Sequence, residues 1–280
     1  MSIARLSVLL RHIVIACATI AALPATAATQ VLYDGALGTT SAYDPTKPGW
    51  LAGVLVDLTQ TVTPFVGTAV APVSQDNAAR GGYSNYGFIP LFNFAFLVNP
   101  AFPILDRSVG FSLGLGFLVS QESHSDDVSH TGSVNRAGFS IILVGNDKKG
   151  IEIGFQNDRI FAQNDSTAGI FTAGESTTTP AVIGSTFNRW DLAIQGDGYA
   201  LTRGGAAVLS GALRDYSSSG HPAYTTPNYL FFGDNTQSAQ AAFSINFASI
   251  TAVPEPSGYA MLLAGLVLVG AIAHRRRAAT

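Results

Sequence analysis

Three consecutive stretches decide the fold: FSIILV at 139–144, NDKKG at 146–150 and IEIGFQND at 151–158. The first is apolar on both faces, which predicts a strand in the middle of a sheet. The second is rich in Asn, Asp and Gly and predicts a turn. In the third, Ile151, Ile153 and Phe155 share one face, while Glu152, Gly154, Gln156 and Asp158 share the other. That period of two belongs to a half-buried strand and not to a helix.

The same pattern continues outward. Phe111 to Val119 is apolar with interleaved glycines and predicts a deeply buried strand. Trp190, Leu192 and Ile194 alternate with Asp191, Ala193 and Gln195, and Gly196-Asp197-Gly198 then turns the chain. Gly204-Gly205 gives a two-residue hairpin signal before Ala206 to Leu209. Phe243, Ile245 and Phe247 alternate with Ser244, Asn246 and Ala248, which places those three aromatic and aliphatic side chains on one face. No stretch of the middle sustains a 3.6-residue period. The expected fold is all-β, a two-sheet antiparallel sandwich.

Both ends differ from this middle. Arg5 and Arg11 precede an uncharged apolar run, Ile13 to Leu23, and Ala25-Thr26-Ala27 offers small residues for signal peptidase. The expected cut follows Ala27 or Ala28, so residues 1–28 read as a signal peptide for the Sec machinery. At the other end, Val253-Pro254-Glu255-Pro256 leads into the apolar run Gly258 to Ala273 and then Arg275-Arg276-Arg277. That run has 16 residues, short of the roughly 20 that span a bilayer comfortably. The expectation is a transmembrane helix over 258–273 that holds the chain only for a time. The three arginines should stay on the cytoplasmic side. Each proline fixes its φ and lacks an N–H, so 253–256 reads as an extended neck that a peptidase cleft can accept.

The order of Pro-Glu-Pro, short apolar helix and arginine cluster resembles the PEP-CTERM sorting signal of Gram-negative bacteria that make exopolysaccharide. The resemblance covers 253–280. It implies processing by an exosortase, a precursor anchored transiently in the inner membrane, and delivery to the cell surface or extracellular matrix.

The middle, 29–252, carries 10 Lys and Arg against 17 Asp and Glu. A net charge of −7 disfavours nucleic acid and anionic lipid as partners. Cys17 is the sole cysteine and lies in the signal peptide. The exported domain therefore has no disulfide, no thiolate metal site and no cysteine nucleophile. Its 26 glycines fit a chain of strands and turns.

A second resemblance rests on Arg136-Ala-Gly-Phe-Ser, Lys149-Gly-Ile-Glu-Ile-Gly-Phe, Ala162-Gln163-Asn164-Asp165, Arg189-Trp190-Asp191, Leu213-Arg214-Asp215-Tyr216 and Pro227 to Thr236. Together they are similar to the concanavalin A-like ectodomains of "choice-of-anchor" bacterial surface proteins. The likeness implies a jelly roll of two sheets, concanavalin A or laminin G in type. It implies no activity.

Candidate chemistry is sparse. Glu122, His124, Asp126, Asp127 and His130 form the densest ionisable cluster and could hold Ca²⁺ or Zn²⁺, or form a solvated loop between Val119 and Val134. Glu152, Gln156 and Asp158 would line either a polar glycan groove or an ordinary solvent face. Gly154 and Gln156 interrupt the run of carboxylates, so a retaining glycosidase pair, about 5 Å apart, is missing from that strand. Arg214, Asp215 and Tyr216 read as a loop lock, with a sugar contact as the alternative; Asp234-Asn235-Thr236 reads as a turn, with Ca²⁺ binding as the lesser reading; Trp50 and Trp190 read as core anchors before sugar platforms. No nucleophile elbow and no phosphate loop is present.

The expectation is a non-enzymatic surface or matrix protein with no resident cofactor. Its sandwich would be a binding or structural module, with exopolysaccharide or a biofilm as its setting. The alternatives are a secreted carbohydrate-active enzyme and a Ca²⁺-dependent lectin on the same fold.

Overall fold

A computed structural model of the chain describes residues 28–35, 45–55, 63–65, 68–71, 81–89, 94–124, 136–165, 172–178, 184–236 and 239–252. The chain divides into a unit spanning Thr29–Ala252 and a unit made of its two terminal segments. Val253, Pro254, Glu255, Pro256, the expected helix at 258–273 and Arg275, Arg276 and Arg277 lie outside the described residues, as does most of the expected signal peptide.

The Thr29–Ala252 unit is built on two antiparallel sheets. The first contains β1 (Ala28–Asp34), β3 (Thr63–Phe65), β4 (Thr68–Ala71), β8 (Phe111–His124), β13 (Asn188–Gln195), β14 (Gly198–Arg203), β15 (Ala206–Ala212) and β18 (Ala239–Ala252). Its order is β15-β14-β13-β8-β18-β4-β3, with β1 also paired to β18. The second contains β2 (Ala52–Leu55), β5 (Gly81–Ser84), β9 (Phe139–Val144), β10 (Lys149–Phe155), β11 (Ile160–Gln163), β12 (Ala173–Thr177), β16 (Arg214–Asp215) and β17 (Tyr229–Asp234). Its order is β12-β11-β10-β9-β17-β5-β2, with β16 paired to β10. A separate hairpin joins β6 (Tyr86–Ile89) to β7 (Phe94–Leu97). One short helix, α1, covers Pro222–Thr225. This is the all-β jelly-roll sandwich that the sequence predicts.

The strand FSIILV occupies the middle of the second sheet, between β10 and β17. Phe139, Ile141 and Leu143 point into the main core between the sheets. Ile142 and Val144 point the other way, into a small cluster with Tyr216, Tyr224 and Phe231. Both faces are therefore covered. From the first sheet, Phe117 stacks on Trp190, with ring centroids 5.5 Å apart and planes 16° from parallel. From the second sheet, Phe139 approaches Phe117 to 4.5 Å and Phe243 to 4.9 Å, and Phe155 meets Trp190 edge-on at 5.2 Å. Such pairs contribute about 0.5–1.5 kcal/mol each beyond their buried area. Trp190 is thus a core anchor.

The turns follow their residues. Gly204 and Gly205 both have positive φ, at 56° and 83°. A two-residue turn with that pair of conformations matches the twist of β14 and β15 and excludes most side chains. At Leu213 the chain leaves the first sheet, and Arg214 and Asp215 pair with Gly150 and Lys149 of β10. Tyr216 is then fully buried, and its hydroxyl donates to the Gln163 carbonyl at 3.0 Å. Arg214 forms its ion pair with Glu175 of β12, so this turn of the chain is fixed by Tyr216 and by Arg214–Glu175 and not by a pair between Arg214 and Asp215.

Two expectations need correction. β8 does not give way to a loop after Val119. It continues to His124, because β18 runs beside it and pairs Ala239 with His124 and Ala241 with Glu122. Phe247 also does not share a face with Phe243 and Ile245. The register against β8 shifts between Ile245 and Phe247, leaving Asn246 as an extra residue. The bulge returns Ala248 and Ile250 to the core and leaves Phe247 outside it.

Candidate functional site

The outer face of the second sheet carries the polar side chains that alternation assigns to β10. A strap running from Tyr216 through α1 to Asn228 crosses it. Tyr224 on α1 is 3% exposed, and its ring lies 4.8 Å from that of Tyr216. The strap is pinned at its far end by Asn228, whose φ of 60° is left-handed. The Asn228 Oδ1 accepts from the Leu105 N–H at 2.6 Å, and its Nδ2 donates to the Pro103 carbonyl at 3.2 Å.

Beneath the strap lies a buried charged network. The Glu152 side chain is 2% exposed and the Arg136 side chain 7%. Arg136 Nη1 donates to Glu152 Oε2 at 3.3 Å and to Gln163 Oε1 at 2.5 Å, and Nη2 donates to Asn235 Oδ1 at 2.8 Å. Asn235 Nδ2 donates to Glu152 Oε1 at 3.1 Å. The Tyr224 hydroxyl donates to Glu152 Oε2 and accepts from Gln163 Nε2 at 3.0 Å. Five elements or their ends meet here: the start of β9, β10, the end of β11, α1 and the turn after β17. Both Glu152 oxygens are held, and in a low dielectric each of these bonds is electrostatically stronger than it would be in water.

The titration behaviour follows from this packing. Burial lowers the affinity of Arg136 for its proton, but the charge on Glu152 and the bonds to Tyr224 and Glu152 outweigh it, so Arg136 is held more firmly protonated than usual. Burial, and then the neighbouring Glu152 charge, push the Tyr224 hydroxyl well above the ordinary tyrosine value.

The three residues expected on one polar face separate. Glu152 sits in the network. Gln156 is fully buried, its Nε2 donating to the Arg136 carbonyl at 2.8 Å and its Oε1 accepting from Arg159 Nε at 2.5 Å. Asp158 is exposed in the turn between β10 and β11. At Glu152 and Gln156 a filled interior takes the place of an open groove or a plain solvent face, while Asp158 stays in solvent. Neither reading from the sequence included the strap, because α1 is four residues long and has no periodicity to read.

The ionisable cluster also divides. Glu122 is buried and joins three segments: it accepts from the Gly138 N–H at 3.3 Å, the Asn157 N–H at 2.8 Å and His124 Nδ1 at 3.1 Å. Asp126, Asp127 and His130 lie outside the described residues. Among the described residues, no group of three or more His, Cys, Asp or Glu side chains is arranged to hold a metal ion. Nor is any described helix long and apolar enough to cross a membrane. Asp234 Oδ1 accepts from the Thr236 N–H at 3.0 Å, which makes 234–236 the expected turn.

The partners of the Glu152 side chain that sequence reading missed are Arg136, Asn235 and Tyr224, with Gln163 joined to it through Arg136 and Tyr224. Arg136 carried the one usable signal, a lone cation leading into a strand with no solvent-facing side.

No curated protein sequence is significantly similar to this chain. Solved structures overlap its framework. A carbohydrate esterase from the Shiga toxin-encoding bacteriophage phi24B is 10% identical with a TM-score of 0.48, over 80% of this chain and 99% of the other. The metal-free carbohydrate recognition domain of Emp46p is 10% identical with a TM-score of 0.45, over 78% and 97%. The carbohydrate-binding module CBM66 from Bacillus subtilis is 9% identical with a TM-score of 0.35, over 71% and 91%. These likenesses are confined to general architecture. Residues 252–277 match the PEP-CTERM protein-sorting motif, which implies that an exosortase processes this chain.

Proposed function

We propose that this chain is an exosortase-sorted surface or extracellular-matrix protein whose sandwich is a non-catalytic binding or structural module of the exopolysaccharide layer. The observation that carries the reading is the position of the sorting motif. It begins at Ala252, the last residue of β18, so the folded unit is joined to the signal without a spacer. In this reading the sandwich is the cargo and 253–280 is the handle, removed after export.

The filled outer face of the second sheet supports a non-catalytic role. A glycosidase carboxylate must reach a sugar oxygen, and a retaining enzyme needs a second one about 5 Å away. Glu152 has both oxygens occupied by Arg136, Tyr224 and Asn235. Replacing Pro254, Glu255 and Pro256 together by alanine tests the sorting half. The expected result is a full-length protein retained in the membrane fraction. Unchanged size and unchanged surface delivery would refute it. Incubating purified 29–252 with a polysaccharide panel tests the other half, where turnover that disappears in Glu152→Gln with folding intact would establish an enzyme.

A further inference from the structure

The strand that delivers the chain to the sorting motif is paired with β8 up to its last residue, and its other edge meets β4 and β1. Along one edge, Thr251 pairs with Ser112 and Ala252 with Phe111 of β8. The other edge of β18 pairs with β4 at Phe243–Ile245 and with β1, and the Thr29 and Thr251 hydroxyls share a hydrogen bond of 2.9 Å. β1 is the first strand of the unit, so its two chain ends lie side by side.

We infer that β1 is a latch on the exit strand, and that Thr29 and Thr251 are positioning residues that set how readily an exosortase reaches the Pro254-Glu255-Pro256 neck. The inference rests on the sorting reading above and adds its regulation. Two residues of extended chain reach at most ~7 Å. A cleft that grips an extended stretch on both sides of the motif must therefore also take Ala252 and Thr251. To supply them, the end of β18 has to peel from Phe111 and Ser112 on one side and from β1 on the other. Cleavage is then limited by fraying of a folded edge, a local opening far smaller than global unfolding. Either expected signal-peptidase cut preserves Thr29, so the latch survives in the processed N-terminus.

The test is pulse-chase processing of the full-length chain in a host that carries the exosortase. Four forms are compared, beside a control in which Pro254, Glu255 and Pro256 are replaced by alanine: wild type, Thr29→Val, a Gly-Ser-Gly-Ser insertion between Ala252 and Val253, and the insertion combined with Thr29→Val. The insertion lies outside the sandwich and leaves its melting temperature as a control. Thr29→Val should speed processing about two- to threefold, the effect of one exposed hydrogen bond. The insertion should speed it about tenfold, and Thr29→Val should add nothing once the insertion is present. A merely structural role for Thr29 would lower the melting temperature without that loss of additivity. Equal rates in all four forms, with the alanine-substituted neck still blocked, would overturn the latch and leave sorting intact. Processing that persists with the alanine-substituted neck would overturn both.

Discussion

Glu152 shows how far one residue can be read. The alternation of Ile151, Ile153 and Phe155 with Glu152, Gly154 and Gln156 assigns its face correctly from sequence alone. What covers that face comes from Tyr216 and Tyr224, more than 60 residues away in the chain. Their arrival depends on a sheet change at Leu213, which no local pattern announces. The consequence is energetic. Removing the charge from Glu152 leaves Arg136 buried without its counter-ion, and breaking such a pair costs about 3–5 kcal/mol. Glu152→Gln should therefore destabilise the sandwich by that amount in urea unfolding. Tyr224→Phe keeps the ring packing and removes a single donor to the carboxylate. It should cost less, about 1–3 kcal/mol. Both variants losing under about 0.5 kcal/mol, the range of ordinary surface substitutions, would show that the strap does not rely on this network.

At the scale of elements, β10 and β13 were legible because their side chains keep a period of two, and β9 because it is a short apolar run bounded by a turn. β18 was legible only as far as Ile245. Counting on by two assigns Phe247 to the core, but Asn246 is a bulge residue, and a bulge leaves no signature in hydrophobic alternation. The pairing of Ala248 with Leu115 and Ile250 with Leu113 is what fixes the second half of the strand. This predicts opposite sensitivities for two neighbours. Ala248 is fully buried, so Ala248→Asp puts an unpaired carboxylate in the core and should prevent folding. Phe247 lies on the outer face, with the Arg189 guanidinium 4.2 Å from its ring centre. Phe247→Asp should lose about 0.5–1 kcal/mol, the contribution of an exposed cation–π contact. Circular dichroism and urea titration of the two variants compare them directly, and the reverse order would place the bulge elsewhere.

For the whole molecule, stability has no disulfide staple, because Cys17 is the single cysteine of the chain. It rests on the aromatic core and on polar groups whose titration is coupled to folding. On the acid side, burial raises the Glu175 carboxyl, but its bond to Arg214 and that residue's charge outweigh this and hold it below the ordinary 4.5. Hydrogen bonds from Ser108 lower Asp106, and hydrogen bonds from Ser217 lower Asp215, both from 3.8. For carboxylates lowered in the folded state, the unfolded chain binds protons first. Their contribution is complete above about pH 5 and is lost as the pH falls through the folded values. On the alkaline side the sign reverses. Burial raises Tyr216 and Tyr224 well above 10.0 and pushes Tyr229 up to about 12. Between pH 10 and 12 the unfolded chain ionises these hydroxyls and the folded chain does not, so their contribution is complete below 10 and disappears as the pH rises through the folded values. Melting temperature should thus stay level from about pH 5 to 10 and fall on both sides. The alkaline fall should coincide with a cooperative rise in tyrosinate absorbance, because these rings ionise when the strap and β17 open. A gradual rise centred near pH 10 with the melting temperature unchanged would mean that the rings are already in water, and that the strap does not seal the face it crosses.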